Sequence, residues 1–274
     1  MSVGIVGAMV APSCARFRCI MVSRFLCLGI VASLVALSTA ARADSVGFRF
    51  ADITLGGATG GTGASGTARL SSDVALTGVH GLQLDLGVVR YGHEVLGQLD
   101  AHLYMMPHEA AKYGLFFSLA DIDGREATIA MVGVEGMFAL SDRTELHGRA
   151  GIGMAMPGHM EFISLSLGAS HAVNDQMAIF GDLAIAEIDE AALRAVTTAA
   201  RIGVSYQPAG RSWALSAAFV RDGAGADTKT ASETRAELGF TLHLGGGGGA
   251  KRRLATRGFA STQPLDPLLQ RGLF

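Results

Sequence analysis

Apolar and polar residues alternate along much of the chain beyond residue 44. Within residues 143–156, Leu146 and Ile152 stand at even positions, whereas Glu145 and His147 stand at odd ones. Successive side chains of a β-strand point to opposite faces, so this segment predicts a strand with one apolar and one polar face. A helix of the same sequence would scatter its charges around its circumference.

The same alternation recurs in further segments, at residues 81–91, 95–105, 127–139, 163–167, 179–185, 195–206 and 233–244. Residues 45–55 and 112–121 also have the composition of strands, but the phase of their alternation is ambiguous. The repeated pattern predicts a protein built almost entirely of short amphipathic strands.

Turn signals divide these strands into hairpins. Polar connections centre near residues 78, 109, 142, 174 and 209, roughly one every 33 residues. A second series lies between them, at 91–94, 121–126, 157–159, 187–192 and 222–233. A first pair, 45–55 and 66–76, is joined by the glycine-rich segment GGATGGTGASG, which we expect to be a mobile external loop. The total is twelve strands, with eight or ten plus an N-terminal segment as the alternative.

The segment that precedes the strands has the features of a secretory signal. Arg24 begins a run of apolar and small residues that ends in Ala41-Arg42-Ala43, an A-x-A cleavage site. The apolar run is shorter than the roughly 20 residues that a helix needs to span a bilayer. We therefore expect a signal peptide at 1–43, a β-domain at 44–244, and a glycine-rich linker with a flexible basic tail at 245–274.

Cysteine content and charge exclude several classes of function. Cys14, Cys19 and Cys27 all lie in the predicted signal peptide, so the exported protein has no disulfide, thiolate zinc site or catalytic cysteine. The whole chain has 22 basic residues against 24 acidic ones, and the signal peptide holds four of the arginines and no acid. The remaining acidic body argues against nucleic acid as a partner.

The two faces of the strands favour a membrane barrel over a soluble sandwich. The polar faces are rich in Gly, Ala and Ser, while the opposite faces present large apolar residues in nearly every strand, as in a barrel that faces lipid outside and a polar lumen inside. Aromatic residues next to one series of turns fit an interfacial girdle; they are Tyr104, Tyr113, Phe138, Tyr206 and Trp213. The sequence thus predicts an all-β, antiparallel, up-and-down transmembrane β-barrel.

The chain resembles Gram-negative outer-membrane β-barrel proteins of the porin-like kind. The resemblance rests on the signal ending, on hairpins such as GVEGMFALSDRTELHGRAGIGMA and on the final strand ELGFTLHL. It implies an outer-membrane location, contact with outer-membrane lipid and insertion by the barrel assembly machinery. It also implies an aromatic strand ending at the C-terminus, whereas here the strand-like ending is internal. We expect the tail to extend into the periplasm, either disordered or docked on a periplasmic partner through LDPLLQRGLF.

The polar face gathers the candidate lumen-lining residues. They are Arg69, Asp73, Asp85, Asp100, His102, Glu135, Glu145, His147, Arg149, Asp182, Arg201, Glu237 and His243. A turn at residue 142 places Glu135 opposite Arg149, and a turn near 190 brings Asp182 within a diagonal of Arg201. Since unpaired charges are costly in a low-dielectric lumen, these pairs are interpreted as channel lining and not as catalytic groups.

The predicted function is a small porin-like channel for small solutes, or a structural envelope protein, without enzymatic activity, cofactor or metal. Excess acid in the lumen predicts a mild preference for cations. The main alternative is a soluble periplasmic or surface-exposed β-protein that binds a partner through its loops and tail. A lipid hydrolase is a further alternative, for which His159 with Ser164, or His171 with Ser170, would be the candidate pair.

Overall fold

A computed structural model describes residues 47–61, 63–124, 127–189, 194–226, 229–245, 253–261 and 263–271. The predicted signal peptide, residues 1–43, lies outside them. No helix within this part of the chain is long and apolar enough to cross a membrane.

Twelve antiparallel strands account for nearly all of the regular structure. They are β1 (Gly47–Gly60), β2 (Gly63–Ala75), β3 (His80–Tyr91), β4 (Glu94–His108), β5 (Ala111–Asp123), β6 (Ala127–Ala139), β7 (Thr144–Met156), β8 (Met160–Ala172), β9 (Met177–Asp189), β10 (Arg194–Tyr206), β11 (Trp213–Ala226) and β12 (Lys229–Leu244). Each strand pairs with its neighbour in sequence, and β1 pairs with β12 from Ala51↔Leu244 to Gly60↔Arg235. The sheet therefore closes into an up-and-down barrel, which confirms the predicted fold and the count of twelve.

The strands are longer, and the turns at one end tighter, than the sequence suggested. The segment GGATGGTGASG is not a mobile loop: β1 runs to Gly60, β2 begins at Gly63, and the two pair as far as their last residues. A Cβ at Gly60 would lie only 2.9 Å from Arg235 Cβ. A larger residue at Gly60 would clash with β12, which runs alongside β1 as far as this position. The predicted long connection at 222–233 is likewise mostly strand.

The outer surface of the barrel carries a belt of large apolar side chains. Leu183, Ile202, Phe219 and Leu238 are each between 64% and 70% exposed, and every strand except β2 has at least one large apolar residue that is exposed. Phe138, Tyr206 and Tyr113 also face outward near the turns at one end, as the sequence predicted, but Tyr104 points inward and is 2% exposed.

The interior is divided into two zones. Towards the end of the barrel that carries Gly61 and the turns at 92–93 and 157–159, inward positions are apolar and form one buried cluster, with Leu96, Ile122, Ile129 and Ile188 among its members. The middle of the barrel and the opposite end are lined by charged and hydrogen-bonding side chains, such as Asp73, Asp100 and His102.

The C-terminal tail lies inside the barrel. Its described residues, 253–261 and 263–271, include a 3₁₀ turn, Leu254–Thr256, and a short helix, α1 (Asp266–Leu269). Leu254 packs against Tyr104 and Met137 at the end where β12 finishes, while Leu265, Leu268 and Leu269 join the apolar zone at the other end. The expectation of a tail extending away from the barrel is therefore wrong for these residues. Leu265, Leu268 and Leu269 therefore lie in the apolar zone, and Arg257 lies in the polar one.

Candidate functional site

The lumen holds all thirteen residues that the sequence placed there. Nine line the main internal cavity: Arg69, Glu135, Glu145, His147, Arg149, Asp182, Arg201, Glu237 and His243. The other four are buried on inward positions of β2 to β4: Asp73, Asp85, Asp100 and His102. These residues could be identified from the alternation of the sequence because, at their level along the barrel axis, the interior is polar and the exterior is apolar.

One network of charges spans the wall from β7 to β12. Arg201 Nη1 lies 3.6 Å from Asp182 Oδ2, and Arg201 Nε lies 3.0 Å from Glu237 Oε2. Asp182 also accepts from His147 Nε2 at 2.8 Å, and Glu237 from Arg235 Nε at 3.1 Å. Asp182 and Arg201 face each other directly in the register of β9 and β10, closer than the predicted diagonal.

A second group surrounds His102 in the middle of the barrel. His102 Nδ1 lies 2.6 Å from Glu135 Oε1, and His102 Nε2 lies 3.4 Å from Asp85 Oδ2. Glu135 and Arg149 stand opposite each other as predicted, but their side chains take separate partners. The Arg149 guanidinium lies 3.5 Å from the Phe116 ring centroid and donates to the carbonyl of Ala260 in the tail.

Lys112 forms a third group that the sequence did not reveal. Its side chain is fully buried, with Nζ 3.3 Å from Asp73 Oδ2 and 4.0 Å from the Tyr104 ring centroid. The Tyr104 hydroxyl donates to Asp73, at 2.7 Å from Oδ1, and Arg49 Nη1 lies 2.5 Å from the same hydroxyl. Lys112 was missed because both faces of β5 carry large apolar residues, such as Phe116 inside and Phe117 outside, which hides the phase of its alternation.

These wall groups hold the backbone of the tail. Gln83 forms two bonds to Phe259, accepting from its N–H at 2.8 Å and donating to its carbonyl at 3.0 Å. Four other strands each provide a donor to one tail carbonyl: Lys112 to Arg257 at 3.0 Å, Arg149 to Ala260 at 3.2 Å, Arg69 to Ser261 at 2.9 Å and Thr197 to Pro264 at 2.9 Å. These buried peptide groups of the tail are thus hydrogen-bonded to the lumen, as burial requires.

Side chains of the tail add specific contacts. The Phe259 ring stacks on His102 at 5.5 Å, and Lys112 Nζ lies 4.7 Å from its centroid. Arg257 Nη1 lies 3.1 Å from Glu145 Oε2. In α1, Asp266 accepts a hydrogen bond from the Tyr91 hydroxyl.

A cavity of about 730 Å³ remains beside the tail. It reaches from Gln176 and Gln207, next to the turns at one end, to Ala58 and Ser65, next to the turns at the other. Much of its wall on β8 to β12 consists of small residues: Ser164, Ser166, Ala184, Ala199, Ser205 and Ser216. The lumen is therefore filled on one side by the tail and open on the other because the wall there carries short side chains.

The candidate hydrolase pairs do not form a catalytic arrangement. Ser170 accepts from Arg257 inside the barrel at 2.8 Å, whereas His171 is exposed on the outside, 2.9 Å from Thr144 Oγ1. Ser164 points into the lumen towards Met131 Sδ, and His159 is exposed in a turn.

Among the described residues, no three or more His, Cys, Asp or Glu side chains are placed so that they could hold one metal ion. The three inward histidines each contact different acids: His102 contacts Asp85 and Glu135, His147 contacts Asp182, and His243 contacts Asp52.

Comparison with known proteins gives a likeness of fold. No family model matches the sequence, and no curated protein sequence matches it. Among solved structures, an outer-membrane channel from Pseudomonas putida F1 has a TM-score of 0.53 at 12% identity over 74% of this chain and 97% of that one. The KdgM porin (TM-score 0.48, 11% identity) and the NanC porin (0.47, 9%) each match 70% of this chain and 98% of their own. The chain thus has the closed antiparallel fold of an outer-membrane β-barrel.

Proposed function

We propose that this protein is an outer-membrane channel for small solutes whose C-terminal tail is a resident plug. One observation carries the proposal: the tail runs through the closed barrel from one end to the other, and a cavity of about 730 Å³ continues beside it. The plug narrows the lumen and leaves the small-residue wall of β8 to β12 as the remaining path. Solutes would pass between this wall and the tail.

The apolar belt supports placement in the membrane. Soluble monomers rarely expose contiguous apolar patches beyond a few hundred Å². Here outward Leu, Ile, Val, Met and Phe side chains recur around the barrel, while charged side chains such as Asp85, Glu135 and Arg149 are buried inside. This arrangement favours the membrane barrel over the soluble β-protein, whose outer face would be solvated.

The tail contributes to the electrostatics of the path. Among the described wall residues that line the cavity, six are acidic (Asp52, Glu135, Glu145, Asp182, Asp222 and Glu237) and four are arginine (Arg69, Arg149, Arg201 and Arg235). Arg257 offsets part of this excess through its contact with Glu145. The balance supports a mild preference for cations in the plugged channel.

The docked tail does not offer its apolar end to another protein. Leu265, Leu268 and Leu269 are at most 2% exposed inside the barrel. A periplasmic partner of this segment would therefore require the tail to leave the lumen first.

Planar-bilayer recording of the purified full-length protein tests the channel. We expect small, cation-preferring conductance from protein that remains in the membrane after carbonate washing and shows heat-modifiable gel mobility. Replacement Glu237→Gln should reduce the cation preference, because it removes the acid that holds Arg201 and Arg235. The control Asp123→Asn, at an exposed position, should leave it unchanged. Absence of conductance, or anion selectivity of the unmodified protein, would contradict the proposal.

A further inference from the structure

The lipid-facing surface is interrupted by a groove of about 420 Å³ that crosses β8 to β12. The register defines two rows of outward residues. One row is Leu167, Leu183, Ala200 and Arg221, and the next is Leu165, Ile185, Thr198 and Gly223. The groove forms because Ala200, Thr198 and Gly223 are small, while the leucines and isoleucine beside them are large.

Arg221 is the one charged residue that lines the outward part of this groove. Among the described residues its guanidinium contacts the Ser232 hydroxyl, at 3.5 Å, and no carboxylate. Leu183, two strands away in the same row, is 64% exposed and belongs to the apolar belt. A positive charge within the apolar belt destabilises the protein in the membrane unless the side chain reaches the membrane interface or an anion.

The outward surface is already polar beside Arg221. The outward positions of β12 that pair with Arg221 and Gly223 are Thr234 and Ser232. The Arg221 guanidinium contacts Ser232, one row nearer to the end of β11, with its apolar stem on the surface. Arg221 can therefore meet a lipid headgroup while the groove beside it, towards β8, accepts an acyl chain.

We propose that this groove is a binding site for one membrane lipid with a phosphate headgroup. The Arg221 guanidinium binds the phosphate oxygens, a geometry for which its planar fork of donors is suited. The acyl chain lies over Ala200 and Thr198, against Leu183 and Ile185. This proposal rests on the membrane location proposed above, but on neither conduction nor the tail.

Native mass spectrometry of the detergent-solubilised full-length protein, titrated with a phosphatidylglycerol, tests the site. We expect one lipid to be retained preferentially, and Arg221→Gln to weaken its retention about tenfold, as loss of a charge-assisted hydrogen bond predicts. Ala200→Leu, which fills the groove, should weaken retention without changing the charge. The matched control is Arg90→Gln, which removes an exposed outward arginine whose Nε donates to the Gly92 carbonyl outside the groove.

Three outcomes would overturn the proposal. One is equal lipid retention by the Arg221→Gln variant and the unmodified protein. Another is equal loss in the Arg90→Gln control, which would indicate attraction by net charge alone. The third is displacement of the lipid by inorganic phosphate at equal concentration, which would mean that contact between the acyl chain and the groove adds nothing to the affinity. Release of the protein from the membrane by carbonate washing would instead contradict the proposed membrane location. Failure of the lipid site and failure of the membrane location therefore give different results.

Discussion

At the scale of single residues, Phe259 is the anchor of the tail. Its ring packs between His102 and Tyr104, and its peptide N–H and carbonyl both bind Gln83. An aromatic ring in contact with a cation and with other rings adds stabilisation beyond the apolar area that it buries. The Phe259 side chain is thus the part of the tail that fixes its register against the wall.

Replacing Phe259 with alanine should loosen the tail while leaving the barrel closed. Truncation of a buried Phe to Ala typically costs about 3–5 kcal/mol, and here that cost falls on docking of the tail. We expect faster trypsin cleavage after Arg257 in the folded, heat-modifiable protein. Phe138→Ala, an outward-facing control that is 46% exposed, should leave the cleavage rate unchanged. Equal protection of both variants would show that Phe259 does not anchor the tail.

The residues that the sequence identified and the one that it missed differ in how clearly the sequence defines the two faces of their strands. Glu135 and Arg149 were correctly placed opposite each other because both are equally far from one tight turn. Lys112 could not be assigned a face because Phe116 lies inside and Phe117 outside on the same strand. Phe116 belongs to the buried apolar cluster that also contains Leu265, Leu268 and Leu269 of the tail, so an apolar inward residue interrupts the alternation on which the prediction relies.

At the scale of elements, close contact between β6 and β7 depends on two facing glycines. Gly133 pairs with Gly151, and a Cβ on Gly133 would lie 2.1 Å from the Ala150 carbonyl oxygen and 2.7 Å from the Phe116 ring. The pair leaves room for the Phe116 ring, over which the Arg149 guanidinium lies. The glycines therefore serve packing inside the barrel.

Gly133→Val should destabilise the barrel by about 1–3 kcal/mol or more, the usual range for overpacking a tight interior site. The measurement is urea unfolding in detergent micelles, followed by gel mobility. Gly97→Val is the matched control, because Gly97 is an exposed strand glycine at which an added Cβ would have no other atom within 4 Å. Equal unfolding midpoints for the two variants would refute the role assigned to Gly133.

The phase of the first strand was also ambiguous, for a local reason. The pairing of β1 with β2 shifts between Phe48 and Phe50, so Phe48 faces outward at 55% exposure while Phe50 is fully buried. An irregularity of this kind breaks the two-residue period within a single strand. The number of strands was predictable because the turns recur regularly, even where individual phases were not.

At the scale of the whole molecule, the location of the tail is what the sequence could not predict. The tail does not alternate, and its partners lie on strands scattered from β2 to β12. Only closure of the barrel brings Gln83, Lys112, Arg149 and Thr197 around one extended segment. Arg257 contacts Glu145 in the polar zone, and Leu265, Leu268 and Leu269 lie in the apolar zone, which is the complementarity expected of a plug.

Deletion of residues 253–274 tests the plug most directly. Single-channel conductance of the shortened protein should be compared with that of the full chain in the same bilayer and salt, after both have passed the heat-modifiability assay. We expect the shortened protein to conduct more, with a stronger preference for cations, because Arg257 and the bulk of the tail are gone while the acidic wall remains. Equal conductance and selectivity in the two proteins would contradict the conclusion that the tail plugs the lumen.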